Sequence, residues 1–342
     1  MSDLVVAGAG MAGLAAAATA GAEVYEKGDR AGGSLALSSG FVWRYRDWDE
    51  FRRQCPAGDP ELQRAVHEGV DDAIEWLESL GAPVVEQSTG NPLTVGKRFE
   101  PAGLVEALSA EVPRMRVGEP LRSRDAGRRL ILATGGFQAS RTLVRNYVTE
   151  EADGLVIRSN PWSSGDGLRL GLEAGGSLSA GMGEFYGRAL PAGDAGDWVR
   201  AAQLYAQHAE VVNASGERYD GPVGWAEVEV VQWIARQPGA RAWFVVPDSA
   251  LGEPTRYGTV AELVERARAS GARVERRDEG TAVQVVAAIT QTLGGLRVDP
   301  RGRVLRDDGS AVDGLWAAGG DVGGIATGGY MSNLAAALVI GR

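Results

Sequence analysis

The 342-residue chain contains one cysteine, Cys55, and two histidines, His67 and His208. A lone thiol excludes internal disulfides and thiolate metal clusters, and two separated histidines fall short of a zinc ligand set. We therefore expect no metal and place both histidines at the surface or in loops. Positive charge is also short. The chain has 35 Lys and Arg against 45 Asp and Glu, a net charge of -10, which argues against nucleic acid or an anionic membrane as partner. No apolar run approaches the roughly 20 residues of a membrane span, and the N-terminus enters an apolar segment without a basic and apolar leader. These absences lead us to expect a soluble, cytoplasmic protein.

Glycine, by contrast, is plentiful. Its 49 residues are about twice the usual share, as expected where backbone lies against a large ligand. Its pattern is most informative at the start, where Leu4-Val5-Val6-Ala7 runs into Gly8-Ala9-Gly10-Met11-Ala12-Gly13 and an alanine-rich stretch. A short strand followed by Gly-x-Gly-x-x-Gly and a helix is the dinucleotide-binding pattern. Gly8 allows the tight turn, Gly10 lets backbone approach a pyrophosphate, and Gly13 lets helix and strand lie close. The N-H groups around Met11 and Ala12, at the positive end of the helix dipole, would face the phosphates. Glu26 closes a second strand, Ala22 to Tyr25, where a carboxylate accepts hydrogen bonds from ribose hydroxyls and disfavours a ribose phosphate. The interval from Gly8 to Glu26 is a little under the usual ~20 residues, so the helix over 12–19 should be about one turn short.

Further along, Lys27 leads to Gly32-Gly33-Ser34, then Ser38 and Gly40. These small residues would let a planar ring lie against backbone, although an ordinary Gly/Ser loop reads the same way. Asp59-Pro60 starts an amphipathic helix that Gly81 stops, with Trp76 expected in the core. Pro101 to Leu108 is a second helix. Arg129 to Ala133 is an apolar strand ending in Thr134-Gly135-Gly136, at the carboxyl edge where ligands sit in open α/β sheets. Ser164-Gly165-Asp166-Gly167 precedes a helix from Leu168 to Ala174, and Asp166 reads locally as its cap. From 184 to 290 tryptophan and tyrosine concentrate and strands such as Ala242 to Val246 alternate with helices such as Val260 to Ala269, which suggests an inserted domain. The opening texture then returns in Thr292-Leu293-Gly294-Gly295 and in Ala317-Ala318-Gly319-Gly320-Asp321. A last helix begins at Ser332-Asn333-Leu334.

Taken in order and spacing, these motifs resemble the flavoprotein family of fumarate reductase, succinate dehydrogenase flavoprotein subunit, 3-ketosteroid Δ1-dehydrogenase and tricarballylate dehydrogenase. The tricarballylate-type branch is the most similar, from Glu184-Phe185-Tyr186 and Gln237-Pro238-Gly239. The resemblance implies an α/β fold in which a Rossmann-like FAD-binding domain, 1–183 and 291–342, is interrupted by an inserted α+β capping domain, 184–290. It implies FAD held by Gly8, Gly10, Met11, Ala12, Gly13, Glu26, Lys27, Gly32, Gly33, Ser34, Ser38, Gly40, Ala133, Thr134, Gly135, Asp166, Gly320, Asp321, Ser332, Asn333 and Leu334. Covalent attachment in the family uses a histidine soon after the Gly-Gly-Ser element. None lies between Gly33 and His67, so the FAD is expected to be non-covalent.

The chain departs from the pattern where the family keeps its charged substrate residues. Gln291 stands where a histidine is usual, and Trp225-Ala226-Glu227 lies where the proton-donating arginine belongs. Gly328 to Tyr330 replaces the second arginine. The expected reaction is hydride transfer between flavin N5 and a carbon beside an activated carbonyl or carboxylate, in dehydrogenation or ene reduction of a small organic substrate. The electron donor or acceptor is unassigned. Removing an α proton needs a base, and the activating group needs a donor to hold enolate-like charge. Tyr330 and Tyr186 are the candidates, each also readable as an ordinary half-buried aromatic, with Glu227, Tyr205 and His208 behind them. A flavoprotein oxidase or hydroxylase, or a relative that binds FAD without turnover, fits the same departures.

Overall fold

The computed structural model describes residues 3–121, 129–194 and 196–342. Contacts divide the chain into two units: 1–140, 159–184 and 291–342 form the first, and 141–158 with 185–290 form the second.

The first unit is built on a six-stranded sheet. Its strands run in the order Arg303–Leu305, Ala311–Ala317, Arg129–Leu132, Leu4–Ala7, Glu23–Glu26 and Arg114–Val117. The first pair is antiparallel and every other pair parallel. In the register Val6 faces Val24 on one side and Ile131 on the other. A parallel strand covered on both faces has no polar side to show, which explains the unbroken apolar run of Leu4–Ala7; Val5 and Val6 are fully buried.

The glycine turn opens helix Met11–Ala20. Small residues let it lie against the last helix, Asn333–Gly341, so closely that a β-carbon on Gly341 would stand 2.6 Å from the Ala12 carbonyl oxygen. A second, antiparallel sheet joins Phe41–Tyr45, Thr94–Phe99 and Val84–Glu86. Helix Pro60–Ser79 packs on it and on the last helix, with Val66, Val70, Ile74 and Leu77 buried. Asp59 caps that helix by accepting the N–H groups of Glu61 and Leu62, satisfying donors that have no partner within the helix.

Two expectations change here. His67 is neither on the surface nor in a loop. It lies half-buried on helix Pro60–Ser79, with ring centroids 5.8 Å from Trp48 and 6.2 Å from Phe51. Burial, followed by the charge of Arg44, lowers its pKa. Trp76 is half-buried rather than in the core, with the Arg342 guanidinium 5.2 Å from its ring; a terminal arginine supplies a cover that helix periodicity cannot show.

The second unit is α+β. Its sheet joins Glu210–Val212, Arg241–Val246, the 13-residue strand Gly280–Thr292 and Val274–Arg277, all antiparallel. Val156–Ile157 and Phe185–Pro191 also pair with the long strand. Helix Val228–Ile234 packs on Phe185–Pro191, and Val260–Ala269 starts from a complete capping box of Thr259 and Glu262. Among the described residues no helix is long and apolar enough to cross a membrane.

Candidate functional site

In the first unit the predicted motifs converge on the carboxyl edge of the parallel sheet. The turn at Gly8 has φ +105°, and a β-carbon there would stand 2.2 Å from the Ala133 carbonyl oxygen. One on Gly13 would meet the Gly8 oxygen at 1.8 Å. These two glycines are therefore required by packing. Gly10 differs, since a β-carbon on it would meet nothing within 4 Å. Its backbone faces open space at the mouth of helix Met11–Ala20, whose first N–H groups need acceptors from outside the helix.

Glu26 is 7% exposed at the end of the second strand. Its Oε2 accepts the Ala9 N–H at 2.7 Å and its Oε1 the Gly28 N–H at 2.6 Å. The carboxylate thus ties the glycine turn to the loop after the strand. Two carboxylate oxygens offer about four acceptor positions, so two of them are left for ribose hydroxyls. Gly32 donates to the Ala9 oxygen at 2.7 Å, which brings Gly32 and Gly33 beside the turn. The Ser34 hydroxyl accepts Asn160 Nδ2 at 2.8 Å, and Asn160 also donates to Ser163 Oγ. Asn160 escaped the sequence reading because its partner is 126 residues away. Ser38 Oγ accepts the Gly40 N–H at 3.0 Å, and a β-carbon on Gly40 would stand 2.0 Å from the Phe99 oxygen. Both residues shape their own turn.

Asp321 is the second buried carboxylate, 1% exposed. It accepts the Thr134 N–H, the Thr134 hydroxyl at 3.0 Å and the Gly136 N–H at 3.3 Å. Burial pushes its pKa up to about 6; the donors of Thr134 and Gly136 oppose the rise and Asp166 adds to it. Thr134 Oγ1 in turn accepts the Gly167 N–H at 2.9 Å. Gly320 lies so close that a β-carbon on it would stand 2.6 Å from the Gly135 carbonyl carbon. Ala133, Thr134, Gly135, Gly320 and Asp321 are therefore one cluster, with Asp166 beside it.

Asp166 does not cap its helix. Gly165 holds the cap position without a side-chain bond, and Asp166, in the first turn, pairs with Lys27. Lys27 also donates to Ser164 Oγ at 2.7 Å. A cation from the loop just after the second strand takes the carboxylate instead of the local backbone donors, which sequence spacing cannot reveal. Trp162 covers Gly28, where a β-carbon would stand 2.7 Å from the indole.

Ser332 caps the last helix by accepting the Ala335 N–H at 3.2 Å, which places Asn333 and Leu334 in its first turn. Just before it, Tyr330 is half-buried, its carbonyl accepting the Tyr45 hydroxyl at 2.6 Å and its ring 5.5 Å from Trp43.

In the second unit Tyr186 is half-buried on strand Phe185–Pro191, with the Arg188 guanidinium 4.8 Å from its ring centroid. Arg188 lies outside the segments in which the family pattern places its arginines, so nothing in the sequence marks it. Tyr205 is fully buried and donates to Gln203 Oε1 at 2.8 Å. Glu227 is buried, with its pKa pushed up to about 7 chiefly by burial. His208 lies in a short turn against Gln207, Nε2 to Nε2, at 3.0 Å.

The first unit fits a dinucleotide. The open backbone at Gly10 offers N–H groups to a pyrophosphate, Glu26 keeps acceptor positions for a ribose diol, and the buried Asp321 acceptor lies further along the same edge.

A family model described as FAD binding domain matches residues 3–104 and 100–333. NADH:fumarate oxidoreductase of Klebsiella pneumoniae (strain 342) is 25% identical over an alignment covering 99% of this chain and 46% of that protein. NADH:acrylate oxidoreductase of Vibrio harveyi is 26% identical over 58% of this chain and 24% of its own length. The chain thus spans less than half the length of either relative. Among solved structures, the open conformation of a flavocytochrome c3 fumarate reductase superposes with a TM-score of 0.70 at 20% identity, covering all of this chain and 77% of that one. The 3-ketosteroid-Δ4-(5α)-dehydrogenase of Rhodococcus jostii does so with a TM-score of 0.70 at 18% identity, over 100% and 95% of the two chains.

Proposed function

The chain belongs to the FAD-binding-domain family, and from that premise we propose that it is a FAD-dependent oxidoreductase acting on CH–CH bonds beside a carbonyl or carboxylate. The observation that carries the reading is the single cluster formed by the Gly8–Gly13 turn, Glu26, Thr134 and Asp321 along one sheet edge. In it, the N–H groups at Met11 and Ala12 would receive the pyrophosphate, Glu26 the adenosine ribose and Asp321 the hydroxyls of the flavin side chain. Lys27, paired with Asp166 and Ser164, fixes the loop that follows Glu26. These residues would hold FAD without a covalent bond, and it would supply a two-electron hydride acceptor or donor at flavin N5.

The chain's own part in the chemistry is to bind the substrate and move one proton. Phenols suit this role where the family arginines are replaced, because a tyrosine hydroxyl both donates to an activating oxygen and passes a proton. Tyr330 takes the part that sets the rate of chemistry, and Tyr186 a part in substrate affinity. The substrate is a small organic molecule. The test is anaerobic: protein reduced with dithionite is mixed with acrylate, fumarate or a cyclic enone, and reoxidation is followed by absorbance. Reoxidation by one of these acceptors supports the reading; rapid oxygen consumption with no response to any of them favours an oxidase instead.

A further inference from the structure

Glu227 is a costly residue for the second unit to keep as it is. Its backbone is left-handed, φ +51° and ψ +26°, a region where a side chain with a β-carbon is strained by about 1–2 kcal/mol. It is 5% exposed, its Oε1 accepts the Ala206 N–H at 2.8 Å, and its Oε2 is buried without a hydrogen-bond partner. A buried carboxylate oxygen left unpaired is costly. Glycine would remove the backbone strain and an apolar residue the desolvation, so packing does not account for glutamate here.

Its surroundings supply a use. Alternation along Phe185–Pro191 puts Tyr186 and Arg188 on the same face. Arg188, 6% exposed, donates to the carbonyl of Ala226, the residue before Glu227, at 2.5 Å, and its guanidinium lies 4.8 Å from the Tyr186 ring centroid. Among the described residues, Tyr205, from the segment before the Ala206–His208 turn, and Glu229, on its own helix, also interact electrostatically with Glu227. Arg188 is the cation that Glu227 feels, and Tyr186 is the ring that Arg188 covers.

We propose that Glu227 is a positioning residue that acts through Arg188 on Tyr186, so that gain or loss of its proton changes the charge presented to the Tyr186 phenol. With Glu227 ionised, the carboxylate balances the guanidinium. With Glu227 protonated, the positive charge of Arg188 is no longer offset by that carboxylate and favours negative charge growing on the oxygen that the phenol holds. Burial raises the Glu227 pKa to about 7, and Arg188 opposes the rise, which puts the change near neutrality. The inference rests on the role assigned to Tyr186 above.

The experiment follows the Tyr186 resonance in the full chain carrying tyrosine isotope-labelled at Cζ, assigned by Tyr186→Phe, from about pH 5.5 to about 8.5. It should move with a midpoint near 7 in the wild type, stay still in Glu227→Gln, move far less in Arg188→Met and recover in Arg188→Lys. A wild-type resonance that does not move, or one that moves equally in Glu227→Gln, overturns the proposal. A second measurement separates it from the functional reading. Reoxidation of the reduced holoprotein by acrylate should quicken as pH falls through about 7 in the wild type and show no such inflection in Glu227→Gln. An NMR midpoint present without any reoxidation by acrylate or an enone would sink the CH–CH reading and leave the Glu227–Arg188–Tyr186 coupling standing.

Discussion

Replacing Glu26 separates the two roles that the structure gives it. Its carboxylate accepts two buried backbone donors, Ala9 and Gly28, each bond to a charged acceptor contributing about 1.5–3 kcal/mol. Glu26→Ala therefore removes about 3–6 kcal/mol from the protein without flavin, a large part of the ~5–15 kcal/mol that holds a domain folded. Glu26→Gln keeps the shape and one acceptor but turns an amide NH2 towards the other donor, and should cost about 2 kcal/mol. Urea unfolding of flavin-free protein is the assay, because bound ligand would add its own stabilisation by mass action. Equilibrium titration with FAD then reads the ligand-binding role, since loss of the ribose contacts weakens binding by about tenfold to a hundredfold in Glu26→Gln. Unchanged unfolding in both variants would refute the hydrogen-bond geometry, and unchanged FAD affinity in Glu26→Gln would confine the residue to scaffolding.

Gly13→Ala should abolish flavin binding or folding, since its β-carbon would lie 1.8 Å from the Gly8 oxygen; normal FAD content in purified variant would contradict that. FAD should leave the protein on acid precipitation in about a one-to-one ratio, and flavin retained in the pellet would argue for covalent attachment. Tyr330→Phe should slow reoxidation of the reduced flavin by its acceptor by about a hundredfold to ten-thousandfold at unchanged FAD content, and Tyr186→Phe should weaken substrate affinity instead; stopped-flow traces at wild-type speed would remove Tyr330 from the chemistry. Asp321, with its folded pKa raised to about 6, binds its proton more tightly folded than unfolded. Its contribution is fully present below about pH 4 and is lost as pH rises through about 6, on the order of 3 kcal/mol in flavin-free protein. Asp321→Asn should flatten that slope in thermal unfolding across this range, and an unaltered slope would rule out the assignment.

What could be read from the sequence was whatever depends on neighbours in the chain. The Gly8, Gly10 and Gly13 turn, the short helix after it and the strand ending at Glu26 follow from local backbone geometry, as does the Asp59 cap. What escaped depends on partners far along the chain. Asp166 reads locally as a cap and is taken instead by Lys27, 139 residues away. Asn160 owes its place to Ser34, Trp76 its cover to Arg342, and His67 its burial to the rings of Trp48 and Phe51. Arg188 lies within a strand whose apolar neighbours give no hint of a cation. The family motifs led to residues that gather along one sheet edge, but gave no sign of Arg188.

Everything proposed for the site depends on this chain holding FAD and passing a hydride to or from a carbon-carbon bond. A single anaerobic titration of purified protein decides it, recording the visible spectrum as the protein is reduced with dithionite and then given acrylate or an enone. An oxidised flavin spectrum should bleach on reduction and return when the acceptor is added, with the saturated product formed mole for mole. Protein that takes up no FAD, or reduced flavin that stays reduced with acrylate, fumarate and enones alike, would contradict the proposal.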